Sequence, residues 1–148
     1  MSATDSADDL ERFIVAQGPV FATVLTELRA AAKRTHWMWF IFPQLRGLGR
    51  SSTAVFYGLA SIEEARAYHA HPVLGERLAL STRALEGVSD RSLHGIFGSP
   101  DNLKFRSFMT LFARVVPARD SVFARTLDRW CGSLPDAATL RLLADARV

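Results

Sequence analysis

The chain has 148 residues, nearly half of them apolar, with ten Phe and three Trp, which is enough to bury one core, too little for two ordinary domains and too apolar for a disordered chain. Its formal charge of +3 comes from 18 basic and 15 acidic residues without a run of like charges of the kind that marks a nucleic-acid tail. Cys131 is the single cysteine, which excludes an intrachain disulfide and a multi-cysteine metal site.

The first residues lack both a basic and an apolar targeting segment, and no apolar run approaches the ~20 residues of a membrane span. The expectation is a cytoplasmic protein without membrane contact. Lys33 and Lys104 are the only lysines, so each one merits inspection.

In chain order, residues 1–8 read as a flexible tail, and Asp8 with Glu11 forms a capping box that starts a short helix ending near Gly18-Pro19. Pro19 suits the first turn of a second helix, in which Phe21, Val24, Leu25 and Leu28 recur at helical spacing. The run from His36 to Gln44 is apolar on every side and fits either one buried helix ended by Pro43 or a buried strand. Helix is favoured, since no partner strand is visible. A loop, Leu45 to Ser52, hands over to a helix carrying Val55, Phe56 and Leu59, with Ser51 or Ser52 as N-cap.

Ser61 and Glu64 cap the next helix, His71-Pro72 breaks it, and another runs from about Pro72 to Gly87 with Val73, Leu74, Leu78 and Leu85 inward. Leu93 to Phe97 makes one short turn of helix. Pro100 and Pro117 bracket the most apolar periodic segment, and two helices follow, Ser121 to Cys131 with Gly132 behind it and Asp136 to Ala146. The expected architecture is an all-α single domain of seven to nine mostly short helices.

On a wheel of the segment from Pro100 to Val116, Lys104 falls among Phe105, Phe108, Met109, Leu111, Phe112, Val115 and Val116, and Asp101 projects into the same arc one turn earlier. A lysine there must be desolvated, paired or snorkelling. Paired or neutral buried amines serve catalysis and ligand binding, while an i, i+3 pair with Asp101 is the plain structural alternative. His36 and Gln44 terminate the aromatic run and need partners; a core His bonded to a carbonyl competes with a general base. Trp37, Trp39, Phe40 and Phe42 are ordinary core or the wall of a small-molecule pocket.

The Gly47 to Ser52 loop has the look of an anion loop, with Gly47, Gly49, Arg50 and Ser51 converging at a helix start. It matches neither the dinucleotide fingerprint nor the P-loop, and an ordinary interhelical turn explains it as well. His69 and His71 lack metal-ligand spacing, so no metal is expected. Nothing names a cofactor.

Taken together, His-Trp-Met-Trp-Phe-Ile-Phe-Pro-Gln-Leu, Gly-Leu-Gly-Arg-Ser, Ala-Tyr-His-Ala-His-Pro-Val-Leu-Gly, Ile-Phe-Gly-Ser-Pro-Asp and Lys-Phe-Arg-Ser-Phe-Met-Thr-Leu-Phe resemble the bacterial domain of unknown function family 1810, from about Asp9 to Trp130. The resemblance implies a small all-helical domain with His36, Trp37, Trp39, Pro43, Gln44, Gly47, Gly49, Tyr57, Asp101, Lys104 and Ser107 as signature positions. Phe108 stands where the family pattern implies a smaller residue. The calpastatin-like label sometimes given to such proteins does not suit this composition, because a calpain-inhibitor segment is polar and disordered.

The reading is therefore a domain that binds a small anionic or nucleotide-like ligand in an aromatic-lined pocket. His36, Asp101 and Lys104 are the catalytic candidates, and Trp37, Trp39, Gln44, Gly47, Gly49, Arg50, Ser51, Tyr57 and Ser107 the ligand contacts. An interaction module without chemistry is the alternative. Nucleic acid ranks third, because the arginines scatter from Arg12 to Arg147 rather than collecting in one place.

Overall fold

Most helix starts in this chain are set by one short polar side chain that takes up a backbone N–H two or three residues ahead. Ser51, Ser61, Ser92, Ser121 and Asp136 accept from Ala54, Glu64, Gly95, Ala124 and Thr139. His71 does the same through Nδ1, which accepts from Val73 and Leu74 just ahead of the helix opened by Pro72.

The computed structural model describes residues 3–146, with side chains from residue 10 onward. Of the expected tail, residues 1–2 lie outside the described residues. Ten helices follow in order among the described residues: α1 (Ala3–Gln17), α2 (Phe21–Arg29), α3 (Met38–Ile41), α4 (Ser52–Tyr57), α5 (Ile62–Ala70), α6 (Pro72–Glu86), α7 (Leu93–Phe97), α8 (Asp101–Val115), α9 (Val122–Cys131) and α10 (Ala137–Asp145). The all-α expectation holds. The count lies just above the expected seven to nine, and α3, α4 and α7 have six residues or fewer. No breaker precedes Asp8, and α1 begins at Ala3, so the expected capping box lies inside a helix.

The central helix is α8, on which α5, α7, α9 and α10 pack, while α6 packs on α2, α5 and α9 and α1 closes over α3, α5 and α6. Phe105, Phe108, Met109, Leu111 and Phe112 are fully buried, as the wheel predicts. Phe42 reaches into them, edge-on to Phe105 and Phe108 at 5.1 Å and to Phe97 at 6.2 Å. Such pairs contribute about 0.5–1.5 kcal/mol each beyond the area they bury.

The His36 to Gln44 run forms less helix than expected. Glu27 of α2 accepts hydrogen bonds from the backbone N–H groups of Arg34 and Thr35, the Thr35 hydroxyl and the Trp37 indole, at 2.8–3.2 Å. These bonds hold residues 34–37 out of the helix, and Pro43 stops it at the other end. Beyond Pro43 the chain makes an isolated parallel bridge between Leu45 and Leu59, with Arg46 N–H donating to Leu59 and Leu59 N–H to Gln44. Leu59 therefore lies outside α4. Val55 and Phe56 of α4 and Val73 of α6 are exposed, against the inward placing of Val73 expected from sequence.

Candidate functional site

The two lysines converge on one carboxylate. Lys33, from the turn after α2, places Nζ 2.9 Å from one oxygen of Asp101, and Lys104 approaches the other oxygen at 3.8 Å. Asp101 opens the first turn of α8, where the helix dipole also favours a negative charge. The two ammonium groups are not equivalent. The Lys33 side chain is 6% exposed and that of Lys104 23%. Lys33 is also anchored by its backbone N–H, which donates to the Ile96 carbonyl at 2.8 Å, and its Nζ sits 5.2 Å from the Trp37 ring centre. Two positive charges thus share one negative charge, and the surplus resides on the more exposed Lys104.

Lys104 Nζ lies 4.8 Å over the ring of Trp39, a cation–π distance. Both residues line a cleft with Gln44, Tyr57, Ala54 and Phe42. α3 supplies Trp39, the segment after Pro43 supplies Gln44, α4 supplies Ala54 and Tyr57, and α8 supplies Lys104. The cavity is about 10 Å³, room for about one water. Gly49 is required beside it: a Cβ there would stand 2.6 Å from Ala54 Cβ and 3.5 Å from Gln44 Nε2. Arg12 and Arg46 hold α4 from outside by donating to the carbonyls of Phe56, Val55 and Gly58.

Of the residues nominated from sequence, Trp39, Gln44, Tyr57 and Lys104 meet at the cleft, with Asp101 behind Lys104 and Gly49 against its wall. The others stand elsewhere or are otherwise engaged. His36 is exposed rather than buried and does not line the cleft, because the Glu27 bonds hold its segment out of the helix. Trp37 is core, with its indole N–H on Glu27. The Ser51 hydroxyl caps α4, and the Ser107 hydroxyl donates to Leu103 within its own helix. Arg50 is exposed, and Gly47 takes φ +110 near Leu142 of α10. Phe108 stacks on Phe112 in the core at 4.4 Å and does not line the cleft.

Sequence reasoning missed Glu27 and the partnership of Lys33. Burial works to raise the Glu27 pKa, but the donors from Arg34, Trp37 and Thr35 outweigh it and bring the carboxylate from 4.5 down to about 2. Two further buried groups stay uncharged. Burial pushes the Tyr68 hydroxyl up against the opposing hydrogen bond from Gln17, and the Cys131 thiol up against the opposing influence of Arg106.

A family model described as a protein of unknown function, DUF1810, matches residues 7–143. The chain belongs to the DUF1810 family. Among solved structures, this DUF1810 domain is similar to the conserved hypothetical protein Rv1873 from Mycobacterium tuberculosis, at 52% identity and a TM-score of 0.89, covering 92% of this chain and 96% of that one. No curated protein matches. Among the described residues of the DUF1810 domain, no helix is long and apolar enough to cross a membrane.

Proposed function

We propose that the domain binds a small anionic, nucleotide-like ligand at the mouth of the Trp39–Lys104 cleft. The observation that carries this reading is the sharing of Asp101 by two lysines, which leaves a positive charge on Lys104 over an aromatic face. Lys33 holds Asp101, Asp101 orients Lys104, and Lys104 meets the anion. Trp39 and Tyr57 offer aromatic surface to a planar group, and Gln44 offers both a donor and an acceptor.

A cavity of about 10 Å³ holds no nucleotide. The ligand therefore lies across the opening or shifts α4, a helix with no buried residue. His36 stands outside the cleft, and Asp101 is engaged by Lys33 and Lys104, so binding is the reading preferred to an enzyme. The rival, a protein-interaction module, draws on one observation, the exposed Val55 and Phe56 on that same helix.

A thermal-shift screen against nucleotides, sugar phosphates and dinucleotide fragments tests the proposal. A ligand at 100 times its dissociation constant adds about 2.7 kcal/mol of stability, or a rise of about 5–10 °C for a domain of this size. A flat screen would move the assignment to the interaction module.

A further inference from the structure

A second cavity is roomier than the one beside Lys104. Between the start of α5 and α10 the fold leaves about 460 Å³, within the size range of small-ligand sites. Its lining divides by chemistry. Leu45, Ile62, Leu142 and Leu143 give it an apolar floor, and Arg46 and Arg66 stand among its polar residues with Glu63.

The two arginines differ in how they are held. Arg46 donates through Nε to Val55 and through Nη2 to Gly58, both at 3.0 Å, which fixes its plane while leaving part of its five-donor fork uncommitted. Arg66 pairs with Glu63 at 3.5 Å, and both side chains are mostly exposed. A pair of that kind is weak and open to competition from another anion. Two guanidinium groups against one carboxylate leave the polar side of the groove positive, next to a floor that excludes charge.

From this division we propose that the groove is a second site, distinct from the Lys104 cleft, for a small free amphipathic anion: an acyl chain ending in a carboxylate or phosphate. The chain lies on Leu45, Ile62, Leu142 and Leu143, and the head meets Arg66 and the fixed fork of Arg46. Such a ligand uses both halves of the lining, whereas a polar anion or a neutral chain uses one.

The test is titration of the full chain with octanoate, octyl phosphate and octanol, followed by calorimetry and melting. The expected result is saturable binding of the two anions, with octanol weaker by about tenfold for want of the charge-assisted head contact. Arg66→Gln should weaken octanoate by a similar factor. Ala60→Trp, at an exposed position on the groove, should block it by filling the space. Lys104→Met should leave it unchanged, which separates this site from the cleft. Equal binding of octanol and octanoate, unaltered affinity in Ala60→Trp, or no saturable binding would overturn the proposal. So would cosedimentation with phosphatidylglycerol vesicles without a response to octanoate, because the ligand would then be bilayer-borne.

Discussion

At the scale of single residues, two lysines that look alike in sequence are held differently by the fold. Lys33 is buried beside Asp101, so Lys33→Met strands a carboxylate and should cost about 3 kcal/mol, toward the low end for a broken buried pair because Lys104 remains near. Lys104→Met leaves Asp101 with its closer partner and should change stability by less than about 1 kcal/mol. Chemical denaturation of both variants checks the contrast; equal losses would make Lys104 a structural residue. Glu27 makes a separate claim. Its pKa is depressed in the folded state, so its contribution is complete above 4.5 and is lost as pH falls through about 2. The shift corresponds to about 3 kcal/mol. Glu27→Gln should lower neutral-pH stability by roughly that amount and flatten the acid limb between those values, and an unchanged acid limb would contradict the assignment.

At the scale of elements, the caps and breakers made most of the fold legible in advance. Ser51, Ser61, His71 and Asp136 start helices where local pattern places them, because a cap and its N–H are near neighbours in sequence. What escaped is what tertiary partners impose. Residues 34–37 are kept from helix by Glu27, a residue of another helix, and no periodicity within the run reveals that. The same bonds bury Trp37 and leave Trp39 half-exposed, although the two are equivalent to a reader of the sequence. Trp37→Ala should therefore cost about 3–5 kcal/mol and Trp39→Ala clearly less, by melting. Gly49 tests the wall of the cleft. Gly49→Ala forces α4 outward and should cost about 1–3 kcal/mol as an overpacked contact, whereas Gly87→Ala, with nothing within 4 Å of the added carbon, should be neutral or slightly stabilising. Recovery of Gly49→Ala by a second change, Ala54→Gly, would tie the loss to that single contact.

At the scale of the whole molecule, the family and the helical architecture were legible because long motifs and apolar periodicity carry them. The candidate site was legible only in part. The wheel isolated Lys104 and Asp101, yet it could not bring Lys33 to them from another part of the chain, nor show that the aromatic run turns His36 away. In the proposed function, Lys104 carries a surplus charge for an anion and does not hold the fold together. One titration separates the two roles: the strongest nucleotide or sugar phosphate from the thermal screen, added to wild type and to Lys104→Met, with melting and calorimetric affinity measured on the same samples. Unliganded Lys104→Met should melt as wild type does and bind with an affinity lower by at least about tenfold, the scale of a charge-assisted contact. A destabilised Lys104→Met that is rescued by Asp101→Asn and binds the ligand as wild type does would contradict it.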